Sequence, residues 1–259
     1  MKRFASMLSI GLLVFAAISA SAAPQGETAA QTAKGSITLY PIQHASFVLE
    51  WNGQTIYVDP TQGADAYAGL GTADIVLLTH AHGDHLDRET LGGLDLRRAL
   101  VVMPQSVADE IGDDYGYAQT IMDNGETVHT DAGVGIHAMP MYNLPPSDDA
   151  YHPKGWGNGY VLTLADKRIY ISGDTEGIDE MRALEDIDVA FVCMNLPYTM
   201  DVEQAADAVA DFAPVVVYPY HYRGQDTAIF RDRLAEADVA TEVRLRDWYA
   251  RLIQSGDKQ

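Results

Sequence analysis

Four short apolar runs in this chain each lead into an aspartate or a histidine, and this feature constrains the fold most. The runs are contained in QTIYVDP, ADIVLLTH, KRIYISGDT and PVVVYPYHY, segments that end at or one residue after Asp59, His80, Asp174 and His221. Runs of this length and composition predict largely buried strands. Because α/β proteins build their sites at the carboxyl ends of strands, the four polar side chains are expected to meet at one edge.

Helical patterns lie between these strands. In DVEQAADAVADF the apolar residues recur on one helical stripe, and Asp201 is a candidate N-cap with Gln204 three residues on. A second helix is predicted in DTAIFRDRLAEA, and TEVRLRDWY is expected to close the fold as a strand. SFVLEW and QTIYV, joined at Asn52-Gly53, predict an antiparallel hairpin. The predicted class is therefore mixed α/β.

Residues 1–22 have the features of a secretory signal. Lys2 and Arg3 precede the apolar run MLSIGLLVFAAI, and small residues follow it. A membrane anchor is the alternative, but a spanning helix needs about 20 apolar residues, so no stable membrane insertion is expected. We predict a soluble periplasmic or secreted protein, with residues 23–35 as a flexible leader and residues 36–259 as one domain.

Charge and cysteine content exclude some partners and cross-links. The formal net charge is −20, and it becomes −22 when residues 1–22, with their two cations, are removed. Such a charge opposes binding to nucleic acid. Cys193 is the only cysteine, so the chain cannot form an internal disulfide, and its apolar surroundings predict a buried thiol. These features leave a small molecule as the expected partner and do not indicate an oligomeric state.

The segment LLTHAHGDHLD, residues 77–87, carries the chemistry as the pattern H-x-H-x-D-H. Imidazole and carboxylate ligands suit zinc and related divalent ions, whereas a structural zinc site would favour paired cysteines. His80 and His82 are two residues apart and can face one ion together. Four ligands in six residues crowd one tetrahedral ion, whereas two ions ~3.5 to 4 Å apart would use them all. Two divalent ions, with zinc as the expected metal, are therefore predicted.

The same motif, followed by SGDT and PYHY, resembles that of the metallo-β-lactamase-fold hydrolases. The segment YPIQHASFVLEWNGQTIYVDP is similar to the opening of the subgroup that contains ascorbate-6-phosphate lactonases and N-acylphosphatidylethanolamine phospholipases of the D type. The resemblance covers nearly all of the chain after the signal. It implies a four-layer αββα sandwich, with a dinuclear metal site along one edge of the paired sheets.

The resemblance also implies a role for each ligand. It assigns His80 and His82 to the first metal. It assigns Asp84, His85 and His221 to the second metal, with Asp174 as the carboxylate that bridges the two. Asp84 and Asp174 are the predicted catalytic residues. Asp59 is expected to support the site from behind the ligands.

The chain departs from the family pattern at the third ligand of the first metal. Where relatives place a histidine, this sequence has Asn143 in AMPMYN. His152, in a loop rich in Pro and Gly, is the favoured replacement, while His137 lies in the middle of a predicted strand. The third ligand is therefore left open between His152, Asn143 and water, and both residues are also candidate substrate contacts. His44 is expected to be a packed, supporting histidine.

These features together predict an exported hydrolase in which a hydroxide shared by two metal ions attacks a small ester or lactone. The scarcity of cations near the predicted site, where Lys154 is one of few, disfavours phosphate substrates. Two alternatives stay open: a phosphodiesterase of the phospholipase-like branch, and a non-catalytic exported metal-binding protein.

Overall fold

The computed structural model describes residues 24–112 and 116–250, whose strands form two seven-stranded sheets. The first sheet contains β1 (Glu27–Thr32), β2 (Gly35–Gln43), β3 (Ser46–Trp51), β4 (Gln54–Val58), β5 (Ile75–Leu77), β6 (Leu100–Met103) and β7 (Ala118–Ile121). The second contains β8 (Thr127–His129), β9 (Val134–Met141), β10 (Gly157–Leu164), β11 (Lys167–Ile171), β12 (Val189–Cys193), β13 (Val216–Tyr220) and β14 (Glu242–Val243). Strands that follow one another in the chain are neighbours within each sheet.

Each sheet combines an antiparallel half with a parallel half. Strands β1 to β4 pair antiparallel and β4 to β7 pair parallel, and the same change occurs at β11 in the second sheet. Parallel neighbours present their carboxyl ends on one side. The ends of β4 and β5 in one sheet, and those of β11 to β13 in the other, can therefore supply one site.

The helices cover the outer faces of the two sheets. They are α1 (Arg88–Gly93), α2 (Gln105–Ile111), α3 (Asp179–Arg182), α4 (Val202–Phe212) and α5 (Thr227–Glu236), with a 3₁₀ helix over Ala64–Tyr67. The alternation along β3 shows the layers: Phe47 and Leu49 join the core between the sheets, whereas Val48 packs in the separate cluster beneath α1 and α2. The α/β class and the expected four-layer αββα sandwich are confirmed.

Local signals in the sequence also hold at atomic detail. The hairpin between β3 and β4 turns through Asn52 and Gly53, with φ angles of 48° and 76°, as a type I′ turn requires. Asp201 caps α4, and its carboxylate accepts a hydrogen bond from the backbone N–H of Gln204 at 2.7 Å. Cys193 is buried, as expected.

Two expectations about the ends of the fold were wrong in part. Residues 27–32 of the predicted flexible leader form β1, which pairs with β2 and buries Ala29 in the core. This strand was not predicted because its side chains are small or polar, so their alternation gives little difference in hydrophobicity between the two faces. The strand predicted in TEVRLRDWY is confined to Glu242–Val243, since the chain then leaves the sheet and buries Trp248.

The predicted signal, residues 1–22, lies outside the described residues. Among the helices that the structure describes, none has the length and apolar character needed to cross a membrane.

Candidate metal centre

The candidate site lies where strands from both sheets end. Asp59 follows β4 directly, His80 comes three residues after β5, Asp174 three residues after β11, and His221 directly after β13. The backbone turns sharply at two of these positions, with φ of 41° at Asp59 and 48° at His221. Non-glycine residues rarely adopt such angles, and where they do they often mark functional sites. The four strand ends named by the sequence analysis therefore do meet.

The loop after β5 presents several donors in a compact turn. The backbone N–H groups of His85 and Leu86 both donate to the carbonyl of His82, at 2.9 and 2.8 Å. Asp87 then caps α1 through the N–H groups of Glu89 and Thr90. This turn brings Nε2 of His80 to 3.1 Å from Nδ1 of His82, so both imidazoles face one point.

Within the described residues, three sets of side chains place one donor atom each within 4.8 Å of one another. We call them by one member: the His152 group is His80, His82 and His152; the Asp84 group is His44, Asp84 and His221; the His85 group is His80, His85 and Asp174. All of the residues predicted as metal ligands belong to these groups. His152 joins them.

The carboxylate of Asp174 lies between the groups. Its Oδ2 is 3.5 Å from Nε2 of His152 and 3.4 Å from Nε2 of His221, while Oδ1 is 3.3 Å from Nε2 of His85. The three histidines come from three different segments of the chain. Asp174 is therefore the one carboxylate that contacts all three groups.

Several donor atoms at this point are buried without a hydrogen-bond partner. They are Nε2 of His85 and His152, both ring nitrogens of His221, and Oδ1 of Asp174. Leaving such atoms unpaired is costly, so convergent unpaired donors call for an explanation. Neutral imidazole nitrogens and a carboxylate oxygen are the ligands that zinc and its neighbours prefer. The donor set therefore fits divalent metal ions.

Asp59 holds the ligand loop in place. Its two oxygens accept hydrogen bonds from the backbone N–H of Thr79 at 2.7 Å, from the Thr79 hydroxyl at 2.7 Å, and from Nδ1 of His85 at 2.8 Å. The bond to Nδ1 leaves Nε2 of His85 free to face Asp174. Thr79 Oγ1 also lies 3.0 Å from Nδ1 of His80, which frees its Nε2 in the same way. Asp59 thus has the supporting position that the resemblance implies.

Asn143 supports His152 and does not take its place. Its Oδ1 accepts from the backbone N–H of His152 at 2.8 Å and lies 3.2 Å from Nδ1 of the same residue. Its Nδ2 donates to the carbonyl of Tyr198 at 2.8 Å and to Glu176 at 3.2 Å. With both halves of the amide used, Asn143 has nothing to offer an ion or a substrate. The expectation that it is a ligand or substrate contact is corrected accordingly.

His44 contacts the site more closely than expected. Its Nε2 lies 3.1 Å from Oδ2 of Asp84, its Nδ1 lies 2.6 Å from the hydroxyl of Tyr249, and its ring centroid is 3.7 Å from that of His221. From the sequence His44 was expected behind the ligands, and no sequence pattern pointed to Tyr249. The link to Tyr249 spans 205 positions of sequence, so no local pattern could have indicated it.

Two other basic residues weighed in the sequence lie apart from the donor groups. His137 sits on β9, with Nδ1 2.8 Å from the hydroxyl of Thr127. Lys154 donates to Glu180 at 2.7 Å and lies 3.4 Å from the hydroxyl of Tyr142. Lys154 is therefore already paired, which removes it as a ready phosphate contact.

The protonation of the site suits metal binding. Burial lowers the pKa of the imidazoles of His80 and His82. It lowers the pKa of His44 and His152 to about 4. These rings are neutral at pH 7 and keep a lone pair. Burial opposes the charge on His85, but the negative charges of Asp174 and Asp59 raise its pKa well above the ordinary value. The positive charge of protonated His85 therefore offsets the negative charges of Asp174 and Asp59. A bound metal ion could supply that positive charge in place of the proton.

A cavity of about 340 Å³ opens onto these groups. It is lined by His82, Gly83, Asp84, Tyr151, His152, Asp174, Asn195, Tyr198 and Arg223. Members of both the His152 and the Asp84 groups are thus accessible to a small molecule. Tyr151, Tyr198 and Arg223 could not be predicted from the sequence, because no local pattern shows that a residue lines a cavity.

Fold and site together define a class, and comparison with known proteins agrees. Residues 38–221 match the family profile described as the Beta-lactamase superfamily domain, so the chain belongs to the β-lactamase superfamily. Within it, a UPF0173 metal-dependent hydrolase from Pyrococcus horikoshii is 33% identical over 189 residues, which cover 69% of this chain and 81% of the relative. The chain belongs to this UPF0173 family of metal-dependent hydrolases.

Solved structures extend the likeness. A protein from Parabacteroides distasonis, described as a metal-dependent hydrolase, is 37% identical with a TM-score of 0.77, covering 86% of this chain and 98% of that one. A metallo hydrolase from Ignicoccus hospitalis is 25% identical with a TM-score of 0.67, covering 82% of this chain and 95% of its own. The coarse prediction of a metallo-β-lactamase-fold, metal-dependent hydrolase is thus confirmed.

Proposed function

We propose that this hydrolase binds two divalent metal ions, with zinc as the expected metal, on either side of Asp174. One ion would be held by His80, His82 and His152, the other by Asp84, His85 and His221, and Asp174 would contact both. The observation that carries this proposal is the position of the Asp174 carboxylate, 3.3 to 3.5 Å from Nε2 of His85, His152 and His221. Like-charged ions placed close together require such a shared anion.

Ions bound here would polarise a carbonyl oxygen and bring the pKa of a coordinated water close to neutrality. The protein's own residues would orient the reacting groups. Asp84 lines the cavity with its side chain 44% exposed, and His44 contacts its Oδ2. Its other oxygen would accept a hydrogen bond from the attacking water and orient it, while Asp174 would lie between the two sides of the site.

Metal content tests the proposal directly. Elemental analysis of the protein purified without added metal, before and after exposure to zinc, should give close to two ions per chain. Chelation should lower both the activity and the melting temperature, because ions that bind only the folded site stabilise it. A stoichiometry of one that zinc does not raise would contradict the dinuclear proposal.

The proposed substrates are small esters or lactones. The cavity of about 340 Å³ suits a small molecule, and Lys154, the cation first considered for phosphate, is paired with Glu180. The presence of Arg223 in the cavity wall keeps a phosphodiesterase, as in the phospholipase-like branch, as the second candidate. On a matched panel, esters and lactones should exceed phosphodiesters by at least ~10-fold in kcat/KM. The reverse order would favour the second candidate.

Export is part of the same proposal. Residues 1–22 carry a charged start, a short apolar run and small residues at the end, which are the features of a cleaved signal. Sequencing the amino terminus of the protein from a cell that makes it should find a start near Ala23 in the exported fraction. A protein that keeps Met1 in the cytoplasm would contradict this.

A further inference from the structure

The wall of the site cavity contains one arginine that forms no ion pair within the described residues. Arg223 is exposed, lines the cavity with Asp84 and Asp174, and follows the candidate ligand His221 by two residues. Across residues 24–112 and 116–250, no carboxylate forms an ion pair with it, although Arg88, Arg97, Arg182, Arg231 and Arg244 all have such partners. An unpaired guanidinium beside a reaction site is available for an anion on a ligand.

Two tyrosines form the apolar part of the same wall. Tyr151 and Tyr198 are 54% and 45% exposed, and their rings meet edge to face with centroids 4.9 Å apart. Together the two rings give the cavity wall an apolar surface that an apolar or aromatic ligand group can contact. Asn143 ties the two loops together, since it donates to the carbonyl of Tyr198 and its backbone N–H donates to the carbonyl of His152 at 3.0 Å. The pair is therefore held in place before a ligand arrives.

From these contacts we propose that the substrate is a monoanion: a small ester or lactone that carries a carboxylate for Arg223 and an apolar or aromatic part for the tyrosine pair. This inference rests on the proposed function, because the scissile carbonyl must reach Asp84 and Asp174. A guanidinium presents parallel N–H donors that match the two oxygens of a carboxylate. Arg223 and the tyrosine pair would therefore make the enzyme prefer esters that carry a carboxylate and an apolar group.

Charge favours a carboxylate over a phosphodiester. In a phosphodiester the negative charge lies on the group that reacts, close to Asp84 and Asp174. A carboxylate lies on a separate arm of the substrate. Arg223 lines the same cavity as Asp84 and Asp174 but forms no ion pair with either in the described structure, so its guanidinium is available to a carboxylate on such an arm. A chain with a net charge of −20 also repels ligands of higher charge.

A matched pair of esters tests the assignment. The 4-nitrophenyl monoester of succinic acid and 4-nitrophenyl butyrate share the leaving group and differ in the acyl carboxylate. The holoenzyme should turn over the anionic ester with a kcat/KM ~10-fold higher, mainly through KM. Arg223→Gln should bring this ratio close to one, Arg223→Lys should keep part of it, and Arg231→Gln on α5 should leave it unchanged. A ratio that survives Arg223→Gln would overturn the proposal.

A binding measurement separates this inference from the proposed function. Calorimetric titration with 3-phenylpropanoate and 3-phenylpropanamide needs no turnover. The carboxylate should bind more tightly than the amide, Arg223→Gln should remove the difference, and Tyr198→Ala should weaken both ligands. If this binding preference is observed but no ester is hydrolysed, only the proposed substrates are refuted. Equal binding of both ligands to the unaltered protein would refute the anion site, whatever the enzyme hydrolyses.

Discussion

The His152 group and the Asp84 group flank the same carboxylate but are built in different ways. The His152 group contains only imidazoles, and Trp156 packs against it with ring centroids 4.8 Å from His82 and 5.6 Å from His80. The Asp84 group includes a carboxylate whose side chain is 44% exposed to the cavity. One side of the site is uncharged, whereas the other is acidic and carries the more exposed side chain.

The His152 group and the Asp84 group therefore depend on different interactions. Neutral imidazoles bring no charge, so in the proposed site the His152 group would hold its ion through geometry, which the contacts of Asn143 and Trp156 support. The Asp84 group brings a negative charge, and its support comes from the contact of His44 with Asp84 and Tyr249. We therefore expect substitutions that loosen packing to affect the first side, and substitutions that alter hydrogen bonding behind Asp84 to affect the second.

The largest effect is expected where the two sides meet. Asp174→Asn keeps the size of the side chain and removes the charge that both sides share. Both ions should be lost, and kcat/KM should fall by at least ~1000-fold. Elemental analysis and ester kinetics measure this, with Asp232→Asn on exposed α5 as the matched control. Two ions retained in Asp174→Asn would show that the two sides do not depend on a common anion.

His152→Ala should affect one side only. Removing Nε2 from the His152 group should lower the affinity for one ion by ~100-fold and leave the other bound. Titration with zinc against a competing chelator gives both affinities. His137→Ala, which removes a histidine from the middle of β9, should change neither. If His152→Ala lost activity at full metal content, His152 would instead be a substrate contact.

Asn143→Ala tests whether the orientation of the His152 ring matters for metal binding by the His152 group. The substitution removes the acceptor 3.2 Å from Nδ1 of His152, so the ring loses its fixed orientation. Affinity for the same ion should fall by ~10-fold, which is less than in His152→Ala because the ligand itself remains. The chelator titration should show no change for the other ion. An altered KM with unchanged metal affinity would restore Asn143 as a substrate contact.

The smallest effect is expected at Tyr249. Tyr249→Phe removes only the hydroxyl 2.6 Å from Nδ1 of His44. Affinity for the ion proposed at Asp84, His85 and His221 should fall by ~3- to 10-fold, as expected for one lost hydrogen bond behind a ligand. Tyr40→Phe, which removes a hydroxyl bonded to Glu50 on the first sheet, is the control. No change would mean that stacking on His221 alone positions His44.

The two sides also differ in how far the sequence predicted them. His80, His82, Asp84 and His85 stand together in one loop, so their spacing indicated the site at once. His44 was underestimated because its contacts with Asp84 and Tyr249 join distant segments. The role of Asn143 could not be read from its position, because a family pattern shows which residue type is present but not which atoms are already hydrogen-bonded.

The sequence by itself determined the strands that end in ligands, the capped helix α4, the Asn52-Gly53 turn and the donor chemistry of the site. All of these depend on contacts between residues close in the chain, where periodicity and side-chain chemistry suffice. Only the tertiary structure decided that residues 27–32 pair with the first sheet, that His152 joins the donors, and that Arg223 and Tyr198 share one cavity wall. Those outcomes depend on which loops the two packed sheets bring together, and chain order alone does not specify that proximity.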